Sequence, residues 1–487
     1  MFIGHSSDNL NTGHPNARTG GEEKMKTQDD YREILDRRNF LKIMGLAVAG
    51  GTASAIAPSL AKAEPVQYKP ATRHRHLDRS WSRIRNAFIL DPQTTYMNIG
   101  TTGSTPRRIL RNYNRYNKTV AKYPWDMHGE WGHWPYTTGL VERVAPQFGA
   151  DSHEIVLSRN TTDGMCSILG GLNLQAGDEI LFTHHEHVAA TSPLHILGTR
   201  NGVTLTKVEI PVLNPTAQGY VDAFHNAVSP ATRLIVFSHI TYKTGARLPA
   251  ERICKEVAIP NNIPTLVDGA HAIGMLDLDL HAMDCDFYAG SGHKWQCGPG
   301  ATGILYIRDN LERLRRFWPD REEVFWPINS SLSEYPFLGL QMQMQYIGND
   351  NYPAKRALAD VCDMWERIGR DRIEQYVLSL AALCRERIRE TFGPEVVIYS
   401  PEVPELTSGL TAFNPFADRT DLALLTTFRD RLREEYGYII RTTDFHVHLD
   451  DANKEHALRI STHLFHSAND VEGLVEAMHD LFTQMNG

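Results

Sequence analysis

Between residues 110 and 350, short apolar runs alternate with segments of helical periodicity, and this alternation restricts the possible folds more than any other feature. Strands that alternate with helices favour a mostly parallel sheet with helices on both faces. The ligands of such a sheet gather at the carboxyl ends of its strands. The seven predicted strands are 154–157, 179–182, 203–210, 233–237, 265–267, 287–289 and 303–307.

The length of 487 residues is too great for one ordinary hydrophobic core. A helical stretch over residues 352–392 leads to further candidate strands at 409–413, 438–441 and 457–460, and a final helix begins near Asp470. The predicted fold class is α/β, with a mostly parallel seven-stranded large domain and a small α+β C-terminal domain. The predicted boundaries are 1–63 for an N-terminal extension and signal, 64–110 for an N-terminal segment, 111–350 for the large domain and 351–487 for the small domain.

The N-terminal extension has the layout of a secretory signal. Arg37 and Arg38 precede a mildly apolar run over residues 43–61, and Ala61-Lys62-Ala63 provides a cleavage site of small residues. Paired arginines are typical of a twin-arginine signal, which predicts use of that export machinery, cleavage after Ala63 and a periplasmic or secreted protein. The alternative is a membrane anchor, but the glycines and the proline of the run make it poorly hydrophobic, so no stable anchor is expected after cleavage.

Charge and cysteine content exclude some classes of function. The net charge is −8 and no basic stripe is present, which argues against a nucleic-acid partner. The six cysteines include no close pair and predict buried thiols rather than a disulfide framework.

Two motifs carry the chemistry. Residues 265–272 read Thr-Leu-Val-Asp-Gly-Ala-His-Ala, so that an apolar strand delivers Asp268 at its end, and residues 291–295 read Ser-Gly-His-Lys-Trp. Either Lys294 or Asp268 alone would be interpreted as a solvated surface charge. Pyridoxal 5′-phosphate (PLP) needs an amine for its imine and an acid that keeps its pyridine nitrogen protonated. Together the two residues therefore predict a catalytic PLP site.

These motifs resemble those of the class V aminotransferase family of fold-type I PLP-dependent transferases, and within it the isopenicillin N epimerase-like branch. The resemblance extends from about Tyr96 to the C-terminus. It implies that Lys294 carries the cofactor as an imine, that Asp268 pairs with the pyridine nitrogen and that His271 lies near the phenolic oxygen. It also implies a homodimer.

A third motif, Ser-Arg-Asn-Thr-Thr-Asp-Gly at residues 158–164, follows a predicted strand and opens a helix at residues 162–172. Backbone N–H groups and hydroxyls at a helix N-terminus suit a phosphate. The alternative is an ordinary N-cap formed by Thr161 or Thr162. The resemblance implies that both threonines, with Ser291 and His293, bind the cofactor phosphate.

The sequence His-His-Glu-His at residues 184–187 could suggest a metal site. No partner cluster is evident beyond His446 and His448, so no metal is expected. The resemblance instead places His187 flat against the pyridine ring, as a catalytic and cofactor-binding residue.

Three further residues complete the predicted site. Arg459 matches the arginine that binds the substrate carboxylate in the family, because a planar guanidinium can form two parallel hydrogen bonds with a carboxylate. Without this resemblance, Arg459 would be interpreted as part of a salt bridge at a strand edge. Asn98 lies in a segment that resembles the substrate side of the family's cleft. Asn349 stands where family members often have a threonine that reaches the partner's phosphate, and its amide can still donate a hydrogen bond.

The reaction is constrained by exclusion. A cysteine desulfurase needs a thiolate on the small domain, and no cysteine follows Cys384. Transamination, epimerisation, elimination and decarboxylation remain open, so the predicted function is an exported PLP enzyme acting on an amino acid or amino-acid-containing metabolite. The alternatives are a PLP-dependent lyase or tailoring enzyme of a siderophore or peptide, and a non-catalytic binding protein of the same fold. Besides core packing, an enlarged substrate entrance is a possible role for Trp125, Trp131, Trp134 and Trp326.

Overall fold

The seven predicted strands form one mostly parallel sheet in the computed structural model, which describes residues 81–124 and 136–486, without the side chains of 136–138. The predicted signal over residues 1–63 and three of the tryptophans, Trp125, Trp131 and Trp134, lie outside the described residues. The described strands are β1 (Thr95–Tyr96), β2 (Ile155–Val156), β3 (Glu179–Thr183), β4 (Thr204–Val208), β5 (Thr232–Ser238), β6 (Thr265–Asp268), β7 (Phe287–Ser291), β8 (Gly303–Ile307), β9 (Val397–Ile398), β10 (Leu410–Asn414), β11 (Tyr438–Ile439), β12 (Arg441–Phe445) and β13 (Glu455–Ser461).

The large sheet has the strand order β2-β8-β7-β6-β5-β3-β4. Each strand of the series β7-β6-β5-β3-β4 pairs in parallel with its neighbour. The strand β8 runs antiparallel to both β7 and β2. Every residue of β6, β7 and β8 is buried, because helices cover both faces, and this explains the continuous apolar runs. Asp268 at the end of β6 pairs in register with Ala289 on β7, which brings the ends of both strands to one edge of the sheet.

Helices connect and cover the strands. They are α1 (Ser82–Arg85), α2 (Arg107–Lys122), α3 (Tyr136–Val144), α4 (Thr161–Gly171), α5 (Val188–Asn201), α6 (Ala217–Ala227), α7 (Ala250–Arg252), α8 (Leu280–Met283), α9 (Glu312–Phe317), α10 (Leu340–Gln345), α11 (Tyr352–Ile368), α12 (Arg370–Phe392), α13 (Leu422–Tyr436) and α14 (Ala468–Asn486). The helical stretch predicted over 352–392 is two helices, because Gly369 adopts a φ of 95° that no α-helix accommodates. None of the helices in the described ranges is both long and apolar enough to cross a membrane.

The N-terminus of α4 differs from the prediction in its capping residue. Asn160 is the N-cap, and its side chain accepts a hydrogen bond from the Asp163 N–H at 2.9 Å. The two threonines that follow are therefore free for other contacts. A Cβ on Gly164 would lie 2.9 Å from the Cβ of Ala289, so the glycine lets α4 pack closely on β7.

The C-terminal strands form a separate antiparallel sheet in the order β12-β13-β10-β9. The strand predicted at 438–441 is split: β11 pairs in parallel with β1, and Arg441 begins β12. The helix α14 packs against α12 and α13 beside this sheet. The domain boundary at residue 350 stays a prediction.

Candidate active site

A polar cavity of about 290 Å³ opens at the carboxyl edge of the large sheet. This volume is close to the ~300 Å³ at which small-molecule sites begin. The cavity is lined by nine predicted site residues: Thr161, Thr162, His187, Asp268, His271, Ser291, His293, Lys294 and Arg459. Sequence reasoning missed several other lining residues, among them Thr101, Asn160, Tyr242 and Arg441.

Asp268, at the end of β6, and Lys294, three residues after the end of β7, face the same cavity. No described residue accepts a hydrogen bond from the Lys294 amine, and the side chain is only partly exposed. Burial lowers the pKa of this amine to about 8, with a further lowering by Arg459 and Arg441, although Asp268 opposes the shift. A larger fraction of the amine is therefore neutral near pH 7 than in an ordinary lysine, as a nucleophile requires.

The Asp268 carboxylate is 4% exposed and accepts a hydrogen bond from the Ala270 N–H at 2.9 Å. Burial raises the pKa of this carboxyl, and the charge of Lys294 lowers it. A cation bound against Asp268 would keep it ionised, because an opposite charge favours the charged form. Within residues 81–124 and 136–486 no basic side chain forms a salt bridge with Asp268, so this carboxylate suits a protonated nitrogen of a bound molecule.

His271 is held by Trp295, which sequence reasoning did not identify. The indole Nε1–H donates to His271 Nδ1 at 3.2 Å, and an indole can only donate. Burial lowers the pKa of His271 well below its usual range, so the ring is neutral. Its proton must then sit on Nε2, which makes the imidazole a hydrogen-bond donor toward the cavity.

The start of α4 gathers donors at the other end of the cavity. The Thr161 N–H and hydroxyl both contact Ser291 Oγ, at 3.4 and 2.7 Å. His293 Nδ1 is buried and has no partner among the described residues. Hydroxyls, N–H groups and the positive end of a helix together suit a phosphate.

Of residues 184–187, His187 alone lines the cavity. Its Nδ1 accepts a hydrogen bond from the Ala189 N–H at 3.1 Å, which caps α5 and leaves the ring beside the cavity. Burial, then the charge of Lys294, lowers the pKa of His187 to about 4, so the ring is neutral.

Glu186 turns inward and accepts hydrogen bonds from Ser238, and burial raises its pKa to about 7.

Outside the cavity, one cluster of the described residues has the spacing of metal ligands. It consists of Asp151, Glu154 and His281, whose ligand atoms lie within 4.8 Å of one another, and none of the three lines the cavity. The four residues 184–187 do not converge on a common point, because two of their side chains have different hydrogen-bond partners. His185 Nε2 is hydrogen-bonded to the His446 carbonyl, and Glu186 accepts a hydrogen bond from Ser238 on β5.

Arg459 forms a buried part of the cavity wall and is 1% exposed. Its Nη1 donates to the Tyr242 carbonyl at 2.7 Å and its Nη2 to the Asn98 carboxamide oxygen at 3.5 Å. Burial, and then the charge of Arg441, lowers the pKa of Arg459 to about 9. Asn98 does not line the cavity itself; it holds the arginine whose fork suits a carboxylate.

Asn349 and Trp326 lie away from the cavity. Asn349 is exposed and does not line the cavity of its own chain, so its predicted contact with a partner's cofactor stays a prediction. Trp326 is 49% exposed, and its backbone N–H donates to the Gly171 carbonyl at the end of α4.

A larger concavity of about 510 Å³ adjoins the cavity and shares Thr162, His187 and Ala189 with it. Its wall is mostly apolar and contains no acid–amine pair. The wall includes Cys166, whose thiol pKa is raised by burial and by Asp163. Burial also raises the pKa of Cys297, three residues after Lys294, and Cys384 is buried in α12 with its pKa raised to about 12. The described cysteines therefore offer no thiolate beside Lys294.

Comparisons with known proteins show the family and the fold of the chain. The family model described as aminotransferase class-V matches residues 97–474. An isopenicillin N epimerase of Amycolatopsis lactamdurans is 29% identical over 413 residues, which cover 82% of this chain and 98% of that protein. A probable cysteine desulfurase of Vibrio cholerae serotype O1 is 27% identical over 347 residues, which cover 70% of this chain and 81% of that protein. A solved structure of a C-DES mutant with glycine covalently linked to the PLP cofactor has a TM-score of 0.67 and 23% identity, covers 81% of this chain and 99% of its own, and shows the fold.

PLP fits the groups that line the cavity. Lys294 would supply the amine that binds it covalently, Asp268 suits the pyridine nitrogen, and the His271 Nε2–H suits the phenolic oxygen. His293, whose Nδ1 has no partner among the described residues, lines the same cavity as Thr161 and Thr162 and could bind the phosphate with them. When bound, PLP supplies an electron sink that weakens the bonds at the α-carbon of an amino acid.

Proposed function

The chain belongs to the class-V aminotransferase family, and from this premise we propose that it is an exported PLP enzyme of the epimerase or aminotransferase type. Its substrate would be an amino acid or an amino-acid-containing metabolite. The observation that carries the proposal is that Lys294, Asp268 and Arg459 line one cavity, in which the described chain places no thiol. Both reaction types begin with removal of the α-proton, which needs a base and a bound carboxylate.

The residues divide this work by position. Arg459 binds the substrate carboxylate through its planar fork and orients the α-carbon. The Lys294 amine, when it is not bonded to the cofactor, would accept and return the α-proton, and its pKa of about 8 suits that role. His271 donates its Nε2–H and stays neutral throughout, because Trp295 holds its other nitrogen.

Elimination by a lyase, including a tailoring enzyme of a siderophore or peptide, is the second candidate. It needs the same α-proton removal and no thiol, so the absence of a thiolate beside Lys294 in the described chain disfavours a desulfurase but not a lyase. The apolar concavity beside the cavity, which shares Thr162 and His187 with it, would accommodate a substrate larger than a simple amino acid.

Deuterium exchange at the α-carbon tests the proposal. The purified wild-type protein should be coloured by its cofactor and should exchange the α-proton of a suitable amino acid in D2O. The variant Lys294→Ala should lose both properties, whereas Lys255→Gln, on the exposed surface, should keep them. Racemised product indicates an epimerase, oxo-acid an aminotransferase, and ammonia with an unsaturated product a lyase. A wild-type protein that takes up no PLP, or exchanges no α-proton, would overturn the proposal.

Export is supported by the N-terminal sequence. The double variant Arg37→Lys/Arg38→Lys should accumulate in the cytoplasm with residues 1–63 attached, because the twin-arginine machinery reads the arginine pair. Wild-type protein found uncleaved in the cytoplasm of its own host would contradict export.

We also propose a homodimer, on the resemblance to the family. Sedimentation of the holoenzyme would test it, and a monomer at micromolar concentration would contradict it. Asn349→Ala should then weaken cofactor binding if the residue reaches the partner's phosphate.

A further inference from the structure

Two arginine side chains reach the cavity from neighbouring strands of the small sheet. Arg441 on β12 and Arg459 on β13 are register partners in an antiparallel pair, so both leave the same face of the sheet. Both line the cavity that contains Lys294. Arg459 is buried whereas Arg441 is exposed, so the first belongs to the inner wall and the second to the solvent side.

Neither arginine has a carboxylate partner in the described part of the chain. Arg459 donates to a carbonyl and to an amide oxygen, and its Nε has no partner. Arg441 donates only to the Thr101 hydroxyl, at 3.4 Å. A buried guanidinium without a counter-charge is costly, and a second cation beside it increases the cost. The pair is therefore suited to more negative charge than the protein supplies.

The cofactor phosphate and the substrate α-carboxylate do not supply negative charge for both Arg441 and Arg459. The cofactor phosphate is accounted for by the donors around Thr161 and Ser291. The α-carboxylate of an amino acid is accounted for by Arg459. Arg441 then remains a cation that faces the cavity without an anion.

We propose that Arg441 binds a second acidic group, a carboxylate on the side chain of the substrate, so that the enzyme acts on amino dicarboxylates or on larger metabolites with an acid at that position. This inference rests on the proposed function and specifies its substrate class. The substrate would extend from Lys294 past Arg459 toward solvent, with one carboxylate at each arginine. Arg441 is then a specificity-determining residue rather than part of the proton transfer.

The test compares acids that differ in one carboxylate. Calorimetric titration of the holoenzyme uses the dicarboxylates from succinate to pimelate and, as controls, monocarboxylates of the same chain lengths. Spectral titration uses L-glutamate against L-glutamine and adds L-2-aminoadipate as a longer acid. The variants are Arg441→Gln, Arg459→Gln and the matched control Arg433→Gln, which alters an exposed arginine of α13 outside the cavity.

Arg441→Gln should weaken dicarboxylate binding about tenfold and leave monocarboxylates within about twofold, because only the second carboxylate loses its charged partner. Arg459→Gln should weaken both classes, and Arg433→Gln neither. Arg441 is exposed, so its variant should fold like the wild type, and an unchanged absorbance band would confirm an intact site.

Two outcomes would overturn the inference. Equal weakening of both classes by Arg441→Gln would mean that the two arginines share one carboxylate. No change in either class would mean that Arg441 is an ordinary solvated surface charge. Failure of the proposed function is seen separately, as a wild type that exchanges no α-proton, because dicarboxylates without an amine bind the holoenzyme by charge alone and do not require turnover.

Discussion

Replacement of Asp268 by asparagine tests the assignment of the pyridine-nitrogen partner most directly. Asparagine has the same shape and keeps an oxygen that can accept the Ala270 N–H, so the change removes a charge and little else. A hydrogen bond to a charged group contributes about 1.5–3 kcal/mol, so the affinity for PLP should fall roughly ten- to 150-fold. The rate of α-proton exchange should fall by a further ~10²–10³-fold, because the ring loses the carboxylate that keeps it protonated.

Although Asp268→Asn should weaken PLP binding, it should not lower the stability of the apoenzyme. Burial raises the folded-state pKa of Asp268 above its unfolded value, so the ionised form opposes folding once the pH exceeds the unfolded pKa. The neutral asparagine removes this cost, and the apo form of Asp268→Asn should be at least as stable as the wild type at pH 7. Chemical denaturation of both apoproteins measures this, and fluorescence titration with PLP measures the affinity.

Asp286→Asn is the matched control. Asp286 is also 4% exposed, but it immediately precedes β7, at the opposite edge of the sheet, and accepts hydrogen bonds from the Thr265 N–H and from Arg313 Nε. Its variant should lose stability and keep its cofactor affinity. If Asp268→Asn binds PLP as tightly as the wild type, or if Asp286→Asn loses the same affinity, the assignment of Asp268 is wrong.

Three further predictions follow from particular contacts. The rate at which the apoenzyme takes up PLP should rise with pH and reach half its maximum near pH 8, because only the neutral amine of Lys294 reacts and its pKa is about 8. Trp295→Phe should shift the pH dependence of the cofactor absorbance band and lower stability by about 1 kcal/mol, because His271 loses the donor that fixes its tautomer. Gly269→Ala should lower the free energy of unfolding by about 1–3 kcal/mol in chemical denaturation, because its Cβ would lie 1.9 Å from the buried ring of Tyr288.

Each of these predictions has a contrasting outcome. Uptake that reaches half its maximum near pH 10.5, the ordinary value for lysine, would contradict the role of burial at Lys294. Trp365→Phe removes a similar indole bond, to the Gly274 carbonyl, and should leave the absorbance band unchanged. Gly300→Ala, with no atom within 4 Å of the added Cβ, should change stability by less than about 0.5 kcal/mol.

Local sequence was sufficient for the large sheet and for the two central residues. The apolar runs identified all seven strands, and both Asp268 and Lys294 follow such runs, at the carboxyl ends where the ligands of a parallel sheet were expected. That the two strands are neighbours was seen only in the structure. Strand ends were less accurate: the first strand is only two residues long, and residues 438–441 belong to two different sheets.

What the sequence alone determined was therefore the fold class, the cofactor and the residues that share a short motif with Lys294. Tertiary structure decided the rest, because the deciding contacts join residues that no local pattern relates. Arg441 meets Arg459 only through the register of β12 and β13, and Trp295 reaches His271 across 24 residues of sequence. Periodicity reports which face of an element is apolar, but pairing register and side-chain tautomer depend on partners distant in the chain, and these set the charge and the hydrogen-bond donors that a substrate encounters.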